Sequence, residues 1–175
     1  MQPQSASLIP TMIALAAPAA AAVILTALRP RLPPDVRGSR RLLLVVGLTI
    51  SAQVLHFVEE LLTELYVEFP TTFGFPAAQQ SVFVWANMTA LILWIAALIA
   101  VRQGIVIALL PLWFLGFCEL LNLFLHPFLA LKTGGYYSGV VTAPLVGVLG
   151  ILTIRELAMV TAKDRTVRSK RIEKL

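Results

Sequence analysis

Five apolar stretches constrain this chain more than any other feature; they fall at about residues 8–28, 42–65, 81–101, 105–131 and 137–154. A helix needs about 20 apolar residues to cross the hydrocarbon core of a bilayer, and each stretch is near that length. The whole chain is 58% hydrophobic and 13% charged, with a mean hydropathy of +0.85. A water-soluble domain this apolar could not cover its surface with polar groups. The composition therefore excludes a cytosolic globular enzyme, a nucleic-acid-binding domain and a disordered chain. The expected fold is all-α: an integral membrane bundle of five transmembrane helices over residues 1–155, followed by a basic cytoplasmic tail at 156–175.

The first stretch contains no charge from Met1 to Leu28, and Pro10 and Pro18 are expected to bend it. It lacks the basic n-region of a secretory signal and exceeds a typical signal core in length, so a retained helix is expected. Connections are short. Residues 29–41 (RPRLPPDVRGSRR) and 67–80 read as loops, Arg102–Gly104 as a tight turn and Lys132–Gly135 as a flexible one.

Orientation follows from the basic residues. With five spans, the loop at 29–41, the turn at Arg102 and the tail from Arg155 share one side. That side holds thirteen Lys and Arg residues, and the other holds only Lys132. The positive-inside rule then places the N-terminus outside and the C-terminus inside. The basic loop 29–41 and the tail 155–175 are expected to meet anionic lipid, so the bilayer is the expected partner. No nucleic-acid partner is expected, and homo-oligomerisation is left open. Cys118 lies in an apolar run and reads as a buried packing residue.

Ionisable groups inside a membrane helix cost about 2.5–3.5 kcal/mol each on insertion scales, and by default they mark function. The second stretch carries His56, Glu59 and Glu60, and the fourth carries Glu119, Asn122 and His126. Residues three, four and seven apart share one helix face, so each stretch presents a stripe joining imidazole to carboxylate. At the helical rise, Glu60 lies roughly 8 Å and His56 roughly 14 Å before the outer end of their span. Glu119 and His126 bracket the same layer. Asn87 of the third span, and Ser138 and Thr142 at the start of the fifth, reach it too. Polar groups from four helices are thus expected to converge on one cavity in the outer half of the bilayer. Glu64 and Glu68 lie nearer the surface and read as solvated.

Two imidazoles with carboxylates suit a divalent metal, Zn, Fe or Mn rather than Ca or Mg. The expected ligands are His56, Glu60, Glu119 and His126, with Glu59 or Glu60 as general base and Asn87, Asn122, Ser138 and Thr142 as supporting polar groups. No other cofactor is expected. Such a set fits a metal-dependent enzyme acting on a lipid-like substrate. A proton- or ion-coupled carrier, or a structural or accessory protein whose polar network only fixes packing, are the alternatives. The distance between the Glu60 carboxylate and the His126 imidazole is the test.

The segment His56-Phe57-Val58-Glu59-Glu60 resembles the naming motif of the HXXEE family of small bacterial membrane proteins. Glu119, Asn122 and His126, and the stretch Tyr137-Ser138-Gly139-Val140-Val141-Thr142, resemble that family's later motifs, with Ser138-Gly139 where the family carries Pro-Gly. The resemblance covers roughly residues 45–155. It implies a multi-pass protein of the bacterial inner (plasma) membrane and supplies no reaction.

Overall fold

The computed structural model describes residues 8–29, 32 and 39–172. Every regular element among them is helical: α1 (Ile9–Leu28), α2 (Arg40–Leu62), α3 (Leu65–Thr72), α4 (Gln80–Arg102), one 3-10 turn (Val106–Ala108), α5 (Leu109–Thr133) and α6 (Ala143–Ile172). Among the described residues, five segments are long and apolar enough to cross a membrane: Ile9–Leu28, Arg40–Leu62, Gln80–Arg102, Val106–Thr133 and Ala143–Ala162. The chain is thus an all-helical protein built for a bilayer. Most of the basic loop expected at 29–41, and the tail side chains beyond residue 162, lie outside the described residues.

The helices start and stop for local reasons. Ser39 caps α2, its hydroxyl accepting the Leu42 N–H at 3.2 Å. At the far end of α2 the chain turns through Glu64, which adopts a left-handed φ of 58°, and enters α3. The second span therefore ends at Leu62 rather than residue 65, and α3 takes up residues 67–72 of the loop expected at 67–80. At the end of α5 the N–H groups of Gly134 and Gly135 both return to the Ala130 carbonyl, at 3.0 Å and 3.1 Å.

The fifth span also begins later than expected. Residues 136–142 are a non-helical segment folded against α2 and α5, and α6 starts at Ala143. Gly139, with φ at 84°, keeps this segment out of a right-handed helix, and Pro144 suits the first turn of the helix that follows. Ser138 and Thr142 are consequently turn residues, not helix-face residues.

α2 is apolar on the outside and polar within. Leu44, Leu48, Leu55 and Leu62 are exposed, whereas Thr49, Gln53, His56 and Glu60 are buried. Spacings of four, three and four residues put those polar groups on one stripe, facing α5, α6 and the 136–142 turn. α6 packs against both α2 and α5. The α5–α6 contact is close because both helices offer glycine there. A Cβ added at Gly150 would lie 2.6 Å from the Glu119 Cβ and 2.9 Å from the Gly116 carbonyl oxygen, the small-residue packing expected between membrane helices. A core of apolar residues including Val46, Leu112, Trp113, Leu115 and Leu157 fills the end of the bundle away from the polar site. α1 packs on α5, and α4 packs on α2 and α5.

Candidate metal centre

His56 and Glu60 sit one turn apart on α2, and His126 reaches the same point from α5. Glu60 Oε1 lies 3.2 Å from His56 Nε2 and 3.5 Å from His126 Nε2. The two rings meet edge to face with centroids 4.9 Å apart. All three residues are buried, and one ligand atom from each lies within 4.8 Å of the others. The Glu60–His126 proximity expected from the sequence is therefore present.

The far side of each imidazole decides what its near side offers. His126 Nδ1 lies 2.5 Å from the Ser138 carbonyl oxygen. A carbonyl can only accept, so Nδ1 carries the proton and Nε2 turns a lone pair toward Glu60. His56 Nδ1 lies 2.6 Å from Thr142 Oγ1, and that hydroxyl stands 2.5 Å from Glu59 Oε2. The carboxylate takes the hydroxyl proton, so the hydroxyl oxygen accepts from His56 Nδ1. His56 Nε2 therefore also presents a lone pair. It is buried and makes no hydrogen bond, despite Glu60 lying so near. Two imine nitrogens and a carboxylate oxygen thus face one another with no described donor among them. A buried set of acceptors is costly without a cation or an added proton to compensate it.

Glu59 does not join this group. It accepts from the Tyr136 hydroxyl at 2.8 Å and the Val141 N–H at 3.0 Å on one oxygen, and from the Thr142 N–H at 2.8 Å and the Thr142 hydroxyl on the other. Adjacent to Glu60 in sequence, it points about 100° away around the helix and clasps the 136–142 turn. Local desolvation and the Glu59 acceptor hold the Tyr136 phenol above its ordinary range, so it stays a donor. Glu68, expected to be solvated, also holds the turn: its carboxylate accepts the Ser138 N–H at 2.9 Å. The Ser138 hydroxyl is hydrogen-bonded to Thr63.

Glu119 is fully buried but stands outside the His56–Glu60–His126 group. Asn122 donates to it at 3.2 Å. With its amide nitrogen facing the carboxylate, Gln53 donates at 2.8 Å and 3.0 Å to the two Glu119 oxygens. Glu119 is thus an anchor for two amides. Asn87 donates to the Phe83 carbonyl of its own helix at 3.0 Å and lines the cavity beside the group. Gln53 is the residue that the charge-led sequence reading passed over. Its signal was position, three residues before His56 and seven before Glu60 on a single stripe.

The group opens on a cavity of about 240 Å³. Glu60, His126, Gln53, Asn87 and Asn122 line it together with Thr11, Tyr66 and Trp94; the rest is apolar and comes mostly from α1, α3, α4 and α5. An apolar cavity with a few converging polar groups is the usual form of a small-molecule site.

No family model matches this chain, and no significant similarity to a curated protein or a solved structure was found.

Proposed function

We propose that the protein is a membrane-embedded, metal-dependent enzyme acting on a lipid-like substrate, with His56, Glu60 and His126 as the metal ligands. The observation behind this reading is the inward-facing trio of acceptors. A tetrahedral ion about 2.0–2.1 Å from each donor sets neighbouring donors about 3.3–3.4 Å apart. The two Glu60 separations, 3.2 Å and 3.5 Å, bracket that value, and all three ligand atoms lie within 4.8 Å of one another. Two His and one Glu, with a fourth position free, is the ligand count of catalytic rather than closed structural sites. Glu60 and His126 border the cavity, so the free position would face the substrate.

The ion would supply a Lewis acid and a bound water of lowered pKa. The residues do the rest. Ser138 and Thr142 fix the tautomers of His126 and His56, and Glu59 anchors Thr142 in its turn, the outer-shell arrangement common around metal-bound histidine. Glu59 is then a positioning residue rather than the general base expected from the sequence. Glu119 keeps Gln53 and Asn122 oriented and is not a ligand. In this reading the N-terminus lies outside and the C-terminus inside, the site lies in the outer half of the membrane, and the basic tail meets anionic lipid. The motif order also supports placing the chain with the HXXEE family of bacterial membrane proteins.

Metal content of the detergent-purified protein tests the assignment. About one equivalent of Zn, Fe or Mn is expected, falling to background in His56→Ala and in His126→Ala. A metal-free protein from both aerobic and anaerobic preparations, after reloading is attempted with each ion, removes the reading. Undiminished metal in both variants does the same.

A further inference from the structure

The cavity beside the His/Glu group is drawn out along the helices. On α4 its lining runs from Val82 to Trp94, and on α5 from Phe114 to His126. α4 and α5 are packed neighbours joined by a short connection, so they run antiparallel and the two linings descend side by side. Each run is twelve residue steps, roughly 18 Å at the helical rise.

Four helices agree on where the cavity stops. α1 lines it between Leu8 and Leu15 and joins the packed core at Ala22 and Leu25; α2 lines it at Glu60 and Gln53 and joins the core at Ile50 and Val46. On α4 and α5 the change comes at Ala90, Trp94 and Phe114, which line the cavity and also belong to the core. Beyond them Ala97, Val101, Leu109 and Leu112 are buried. Trp94, only 5% exposed, is the largest side chain at this end and with Phe114 forms a floor. The two ends differ in chemistry. The Glu60 carboxylate and the His126 imidazole stand at the far end, with Asn122 about one turn further in. At the floor the lining is Ala90, Trp94, Phe114 and Cys118, whose side chains carry no polar group beyond one indole N–H and one thiol.

We propose that this cavity is a length gauge for a single acyl chain. The functional group sits beside Glu60 and His126, the chain lies along α4 and α5, and its last carbon stops against Trp94 and Phe114. The cavity is about as long as the hydrocarbon of one leaflet is deep, about 15 Å in a core about 30 Å thick. A volume of about 240 Å³ spread over that length admits one chain and not two side by side. Trp94 and Phe114 therefore set which chain length is accepted, whatever the head group. As a substrate assignment this deepens the metal-site reading and rests on it. The length limit itself depends on the cavity alone, which His56 does not line.

The test uses the full chain in detergent micelles and two homologous series, straight-chain fatty acids and straight-chain fatty alcohols, each lengthened two carbons at a time. Affinity is read by displacement of a fluorescent fatty acid, and metal content is measured on the same samples. In both series affinity is expected to rise to one chain length and then fall at least fivefold. A photoreactive group on the last carbon of the best-bound chain should label the peptides that carry Trp94 and Phe114. Trp94→Ala is expected to move the optimum at least two carbons longer. Ala90→Phe, which fills the cavity and leaves Trp94 in place, should move it at least two carbons shorter. Affinity that climbs with length without a limit, an optimum unmoved in both variants, or end-group labelling confined to α3 overturns the proposal, whatever the metal content. Metal-free protein with the length limit intact overturns the metal reading alone. The same optimum in His56→Ala as in the wild type supports a limit set by the floor and not by the ion.

Discussion

At the scale of single residues, Gly139 is the most tightly constrained position in the site. A Cβ there would lie 2.6 Å from His126 Cε1, 2.7 Å from His126 Nδ1 and 3.0 Å from His56 Cε1, on a backbone with φ at +84°. Neither ring can move away without losing its Nδ1 partner. Gly139→Ala is expected to lower metal occupancy at least tenfold while far-UV circular dichroism still reports the native helix content; full occupancy contradicts the packing argument. Thr142 gives a second prediction. Thr142→Val removes the acceptor that fixes the His56 tautomer and is expected to weaken metal affinity about 10–100-fold, the usual cost of losing an outer-shell partner. Thr142→Ser retains the hydroxyl and should restore most of the affinity, a rescue that a purely steric role for Thr142 does not predict. Neither role was visible in the sequence. Spacing within a helix says which side chains share a face, and residues 136–142 have no helical spacing to read.

At the scale of elements, α2, α5 and α6 form one unit. Besides the glycine contact, α2 and α6 are joined by a hydrogen bond between Thr49 and Thr153 at 2.8 Å and by an ion pair from Arg41 Nε to Glu156 Oε1 at 2.7 Å. Arg41 is largely exposed and Glu156 almost fully buried, so the pair contributes less than a wholly buried one. Removing Arg41 still leaves a buried carboxylate without its cation. Arg41→Ala is expected to lower the thermal midpoint in detergent, and Arg41→Ala combined with Glu156→Gln should recover part of the loss. A double variant no more stable than the single one would show that the pair does not act as described. Gly150→Val should be worse than either. Overpacking costs typically about 1–3 kcal/mol, and the nearest atoms at Gly150 include the Cβ of Glu119 and the backbone oxygen of Gly116, which cannot swing aside like a side-chain end. Wild-type thermal stability in that variant would contradict close α5–α6 packing.

At the scale of the whole molecule, orientation is the property with the simplest test. With thirteen basic residues on one side of a five-span chain and one on the other, a fluorescent protein that matures only in the cytoplasm should be bright when fused to the C-terminus. A reporter active only outside the membrane should work when fused within residues 63–79, between the second and third spans. The reverse pattern overturns both the orientation and the outer-half depth proposed for the site. Span number and approximate span limits were legible in the sequence because membrane-spanning helices are set by local apolar length. So was the meeting of His56, Glu60 and His126, because each helix could be read for face and depth. The α3 helix and the 136–142 turn were not legible, since both depend on side chains that meet only after the spans have packed.

The sequence alone determined the class of protein, its five spans and the two stripes of His and Glu, because helical periodicity and bilayer thickness are local rules. Tertiary structure decided that Glu60 rather than its neighbour Glu59 enters the cluster, and that Glu119 withdraws to hold Gln53 and Asn122. It also folded the 136–142 turn out of the helix to orient both imidazoles. Those outcomes depend on the rotation of packed helices about their own axes and on contacts between residues far apart in the chain, which no local pattern encodes.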